Sequence, residues 1–104
     1  MVYIVHRYRA KIVRVVDGDT VDLEVDLGFY INLNIRARLL GVDTPERGQK
    51  DFFTAKSMLE NLLLTHKDEE GHILINTEKT GKFGRWLVDI EGVNSSLAEV
   101  WPYA

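Results

Sequence analysis

Three short stretches of this chain hold polar chemistry that a small β domain has no structural need for: Asp17-Gly18-Asp19-Thr20, Arg38 through Glu46, and Lys82-Phe83-Gly84-Arg85. Asp19 and Asp43 are carboxylates suited to a hard cation, Glu46 is a further one for proton transfer, and Arg38 and Arg85 are guanidiniums suited to a phosphate. A cation polarises a phosphoryl oxygen, a carboxylate activates water, and arginines hold the charge that grows in the transition state. That inventory is the one metal-assisted phosphodiester hydrolysis requires. Taken singly, each aspartate reads better as a turn residue, because Asp-Gly-Asp-Thr and Asp-Thr-Pro are common sites of local backbone hydrogen bonding. Only the combination carries the functional reading.

These residues need elements to position them. From Val21 to Leu27 the chain alternates strictly, Val21, Leu23, Val25 and Leu27 against Asp22, Glu24 and Asp26, which predicts a half-buried antiparallel strand. Phe29, Ile31, Leu33, Ile35, Ala37 and Leu39 alternate in the same way with polar neighbours and predict a second strand with those residues inward. Ala10 to Val16 is a third, apolar on both faces, with Gly18 and Gly28 at the two junctions. After Pro45 the period becomes helical: Phe52, Ala55, Leu59 and Leu62 share a stripe flanked by Phe53, Met58 and Leu63, predicting a helix from about Gln49 to Leu64. Ile73 to Thr77 and Arg85 to Ile90 are two more strands. Asn94 or Ser96 can cap a final short helix, and Ser96 with Glu99 has capping-box spacing. The order predicts an α+β, mainly β, fold: a small five-stranded OB-fold barrel with one main helix and a short C-terminal helix.

Periodicity leaves a conflict at the candidate site. Arg38 lies on the polar face of its strand, and Asp43 is an odd number of residues later, so a regular strand would point them apart. The strand must end or bulge between them, and Gly41 is the place for it. Asp19 shares the parity of inward-facing Val21, so it must sit at the strand mouth.

The motifs Val16-Asp17-Gly18-Asp19-Thr20-Val21, Arg38 through Glu46, and Lys82-Phe83-Gly84-Arg85 followed by an apolar strand resemble the staphylococcal-nuclease-like (thermonuclease) domain family. The resemblance runs from about Ala10 to about Val100, through Val93-Asn94 into the last helix. It implies the same OB-fold and a calcium-dependent nuclease cleaving DNA and RNA. It implies Ca2+ held by Asp19 and Asp43 with the backbone carbonyl of Thr44, and Arg38 and Arg85 on the scissile phosphate. Glu46 would be the general base or would orient the attacking water. Phe83 would flank the nucleotide, although a core role suits it equally and the family's usual tyrosine hydroxyl is missing. Lys82 would be an auxiliary phosphate contact, with a solvated lysine as the plainer reading. Asp17 would support the ligands or act only as a turn acid. The chain departs from the family in a short segment between Glu46 and the helix, where many members carry a longer mobile loop, and in lacking a longer C-terminal region. The alternative function is a non-catalytic OB-type module binding nucleic acid or protein, with a vestigial site.

At 104 residues the chain is expected to be one domain, residues 1–104. Without cysteine it holds no disulfide and no thiolate metal site. His6, His66 and His72 have no ligand spacing. The apolar run before Arg7 is shorter than the ~7–15 residues of a secretory segment, and no stretch approaches the ~20 of a membrane span. The expectation is a cytoplasmic monomer without a membrane partner. The net charge of −3 counts against a general nucleic-acid binder, but Arg7, Arg9, Lys11 and Arg14 open the chain without an acid among them.

Overall fold

Strict alternation in the second strand builds the barrel wall as expected. The structure, a computed structural model, describes residues 6–78 and 86–103. Its elements are β1 (Arg7–Asp17), β2 (Thr20–Asp26), β3 (Asn32–Leu39), α1 (Phe52–His66), β4 (His72–Glu78), β5 (Trp86–Ile90) and α2 (Asn94–Val100). The strands close into a barrel in the order β1-β2-β3-β5-β4, with β4 returning to β1. Only β3 and β5 run parallel among these pairs, the pattern of a small OB-like α+β fold. Along β2, Val21, Leu23 and Val25 are buried while the acids between them face outward.

β1 is long because it serves two partners. It pairs with β4 through Arg7–Lys11 and with β2 through Arg9–Asp17, with register shifts between Ile12 and Arg14 and between Val15 and Asp17. Such irregularities add twist and let one strand bend around a small barrel. The core joins Ala10, Leu23, Ala37, Leu39, Ile75, Val88 and Ile90 of the barrel to Leu59 and Leu63 of α1 and Leu97 of α2.

Three element starts differ from the sequence expectation. β3 starts at Asn32, and Phe29, Ile31 and Leu33 are exposed, not inward. For Phe29 and Ile31 the cause is a tight turn, in which Ile31 N–H donates to Gly28 O at 2.9 Å, that takes the residues the alternation assigned to the strand; Leu33 lies in β3 opposite Val25 at its outer end. α1 starts at Phe52, not Gln49, because Gln49 is held in a turn with Glu46 and Asp51 has a left-handed φ of 68°. Its stripe closes with Leu63 buried and Leu62 only half-buried. α2 has Val93 at its cap position with no side-chain cap; Ser96 Oγ donates back to Gly92 O at 3.1 Å. Asn94 is no cap either. It is buried and links three backbone groups, accepting from Ile90 N–H at 2.9 Å and donating to Leu40 O at 2.9 Å and Val88 O at 3.1 Å. That amide ties the end of β5 to the segment leaving β3, which carries the candidate site.

Candidate active site

The turn between β1 and β2 places the first acid. Asp17 Oδ1 accepts the Asp19 N–H at 3.1 Å, a local side-chain turn that fixes the backbone. Asp19 O accepts from Leu39 N–H at 2.8 Å, so the β2–β3 ladder extends past its Thr20–Arg38 pair and fastens Asp19 at the barrel mouth. This satisfies the parity argument. The Asp19 carboxylate accepts from the Thr20 hydroxyl at 3.1 Å and from Thr44 N–H at 3.3 Å. Gly18 is needed here for space: a Cβ would lie 2.7 Å from Thr44 Oγ1 and 2.9 Å from Ala55 Cβ.

The second acid arrives by a change of direction. β3 ends at Leu39, Gly41 turns the chain with φ 75°, Val42 is buried and Asp43 points to solvent. The segment after α2 holds this turn: Val42 bridges Pro102, Asp43 N–H donates to Trp101 O at 2.9 Å, and Tyr103 N–H donates to Gly41 O at 3.1 Å. Glu46 follows Pro45 in a tight turn, its N–H donating to Gln49 Oε1 at 2.8 Å.

Arg38 joins the two acids. Its Nη2 lies 3.7 Å from Asp19 Oδ2 and 3.6 Å from Asp43 Oδ1, and donates to Val42 O at 3.4 Å. The face of Tyr103 lies 5.5 Å from the guanidinium carbon. Asp17, Asp19, Arg38, Asp43, Thr44 and Glu46 all line one cleft of about 600 Å³. Tyr103 and Arg47 also line it, and sequence reasoning missed both. Nothing in the motif spacing marks Tyr103; it is brought there by backbone pairing across the fold. Arg36 reaches the cleft too, but it is committed to Asp22 through bonds of 2.8 and 3.2 Å, matching its reading as a surface arginine. Lys82, Phe83 and Arg85 lie outside the described residues; Trp86, which follows Arg85, pairs with Ala37 beside Arg38.

Burial and the neighbouring Asp17 carboxylate push Asp19 up from the usual carboxylate range to about 6. Arg38, beyond hydrogen-bond distance, does not offset this. Near neutral pH the folded protein therefore keeps a buried negative charge with too little positive charge beside it. That is the electrostatic condition a bound cation relieves. The donors Asp19, Asp43 and Thr44 are all oxygen, and the buried Thr44 hydroxyl has no hydrogen-bond partner. This fits a hard cation of the calcium type. Among the described residues no three His, Cys, Asp or Glu side chains lie close enough together to hold one metal ion between them, so a cation at Asp19 and Asp43 would have an open coordination sphere rather than a closed cage.

No family model matches the chain. It is 32% identical over 90 residues to Protein ParB of Escherichia coli, covering 86% of this chain and 45% of that protein. It is 32% identical over 80 residues to Micrococcal nuclease of Shigella flexneri, covering 77% of this chain and 40% of that protein. The chain thus spans less than half the length of either relative.

Proposed function

We propose that this chain is a calcium-dependent nuclease domain that hydrolyses phosphodiester bonds of DNA, and of RNA, with little sequence specificity. The observation that carries the reading is the convergence of Asp19, Arg38, Asp43, Thr44 and Glu46 on one cleft from three separate parts of the fold. Similarity to a protein named as a nuclease supports it. Among the described residues no element able to read base edges stands beside the cleft, so sequence preference should be slight.

In this reading Asp19 and Asp43, with the Thr44 carbonyl, hold Ca2+, which when bound supplies Lewis-acid polarisation of the scissile phosphate. Arg38 then exchanges its weak contacts with the acids for a bidentate grip on phosphate oxygens, where a planar fork fits best. Tyr103 covers one face of that guanidinium and limits its swing. Glu46 takes the proton of the attacking water, or holds that water in line; its backbone is already fixed by Gln49. Arg85 and Lys82 complete the phosphate contacts, and Phe83 flanks the nucleotide.

The test is a plasmid-nicking assay with calcium, with magnesium and with chelator. Calcium should support cleavage and chelator should abolish it. Magnesium demands near-octahedral geometry and holds its waters, so it should bind without comparable turnover. Full activity in chelator, or unchanged calcium-supported activity in Asp43→Ala, would sink the proposal; no cleavage under any of these conditions would favour the non-catalytic binding module.

A further inference from the structure

The hairpin joining β2 to β3 ends in a turn that its own sequence disfavours. Phe29 and Tyr30 occupy the two central positions with φ of 54° and 60°, closed by the Ile31 N–H to Gly28 O bond of 2.9 Å. That is type I′ geometry, for which Asn-Gly is the low-energy pair. Bulky aromatics with positive φ are strained there. Neither ring is repaid by packing: Phe29 is 94% exposed and Tyr30 104%. Leu27 and Ile31 flank them at 40% and 55% exposure. Folding therefore accounts for neither the residue type nor its placement.

The position narrows what these rings could meet. From the Thr20–Arg38 pair at the cleft to the Asp26–Asn32 pair at the tip the ladder runs the length of β2, roughly 20 Å at strand spacing. Nucleic acid leaving the cleft would have to pass the outward acids Asp22, Glu24 and Asp26, and Arg36 is already paired with Asp22. A second copy or another protein needs more surface. An aromatic side chain offers about 150–250 Å², so the whole tip presents roughly 500 Å², against about 800 Å² per partner in a stable protein interface. The tip is also convex, and a protein partner would need a matching pocket. A bilayer interface needs neither extent nor shape complementarity, and Tyr favours the headgroup layer.

We propose that Leu27, Phe29, Tyr30 and Ile31 form a membrane-docking tip that inserts into the interfacial layer of a lipid bilayer. The expectation of no membrane partner rested on the want of a spanning segment, and among the described residues no helix is long and apolar enough to cross a membrane. Interfacial docking needs no such helix. The charged residue adjoining the tip in sequence, Asp26, is an acid that accepts the Gly28 N–H at 2.8 Å, and Arg9 opposite it is paired with Glu70, so anionic lipid gives no help and the surface recognised is zwitterionic. The attachment is weak and reversible, since one hairpin tip is a single short anchor. It is independent of the chemistry in the cleft.

The experiment uses the full chain with phosphatidylcholine vesicles at up to several millimolar lipid, with and without phosphatidylglycerol. The parent should co-sediment with phosphatidylcholine, and adding phosphatidylglycerol should not strengthen binding. A Tyr30→Trp reporter should shift to the blue and be quenched by lipids brominated near the headgroup. Phe29→Asn with Tyr30→Gly should lower partitioning at least tenfold, because each buried aromatic contributes roughly that factor, while its urea midpoint rises as the turn gains its favoured residues. Loss of binding with raised stability separates docking from folding. Absence of co-sedimentation by the parent, or equal co-sedimentation by the double variant, overturns the proposal. So does tip-dependent self-association in sedimentation velocity without vesicle binding, which would assign the tip to a second copy.

Discussion

Replacing Asp19 by Asn should make the protein more stable near neutral pH while abolishing calcium binding. Asp19 is held at about 6, against an ordinary value of 3.8, by burial and by the Asp17 carboxylate. The folded state therefore binds a proton more tightly than the unfolded chain. Below about pH 4 both states are protonated and nothing is lost; as pH rises toward the folded value the unfolded state ionises first, and stability falls. Above it the loss is complete, at most about 3 kcal/mol for a shift near two pKa units. Asn carries no charge, but it gives up an acceptor now used by Thr20 or Thr44, worth about 1 kcal/mol. The net gain at pH 7 should be about 1–2 kcal/mol, or roughly 5–15 °C in Tm for a domain of this size. Urea unfolding of both proteins from pH 4 to 7 measures it: the depressed carboxylates Asp22, Asp68 and Glu91 shape both curves alike, so the parent should lose stability relative to Asp19→Asn as pH rises across that range. Calcium at about ten times its Kd should return about 1.4 kcal/mol to the parent at pH 7 and nothing to the variant. Parallel pH curves, or a variant less stable than the parent at pH 7, would refute the reasoning that this carboxylate is held against its solvation for the sake of a cation.

Arg38→Ala and Arg85→Ala should each lower kcat by about 10²–10³, and Lys should rescue poorly because it lacks the planar fork; steady-state nicking rates decide, and parental rates in Arg85→Ala would remove Arg85 from the proposed site. DNA affinity should depend shallowly on salt. Arg7 is paired with Glu91 and Arg9 with Glu70, so two of the four cations of the basic first strand are already engaged and about two to four phosphates should be neutralised, a log–log slope near −2 to −4. Titration of labelled DNA with Glu46→Gln at fixed calcium reads that slope directly; a value near −8 would mean an extended basic surface. Asn94→Ala should cost about 2–4 kcal/mol by urea unfolding, since Ile90 N–H and Leu40 O lose a buried partner; a loss under about 0.5 kcal/mol would mean that water replaces the amide.

What the chain's local pattern determined, it determined through side-chain period. The alternation from Val21 to Val25 appears unchanged in the buried face of β2, because a strand with one wet face has only one register that buries its apolar set. The helical stripe Phe52, Ala55 and Leu59 follows the same logic on α1. The parity conflict between Arg38 and Asp43 correctly demanded a break near Gly41, and the Asp19 parity demanded the barrel mouth. Where period failed, a local hydrogen bond outranked it. Phe29 and Ile31 continue the alternation but belong to a closed turn outside the core, and Leu33, paired with Val25 near the outer end of β3, stays exposed. Asn94 has the sequence signature of a cap, yet its amide serves Ile90 N–H and Val88 O of the neighbouring β5 and also Leu40 O, which only the closed barrel brings within reach. Tyr103 and the bridge from Val42 to Pro102 belong wholly to the tertiary level. Their partners are about sixty residues away, and backbone pairing at that separation leaves no periodic trace in either segment. Residue types and spacing thus name the groups that could act on a phosphate, but the charge state of Asp19 follows from burial and a neighbouring carboxylate, which only the assembled barrel creates.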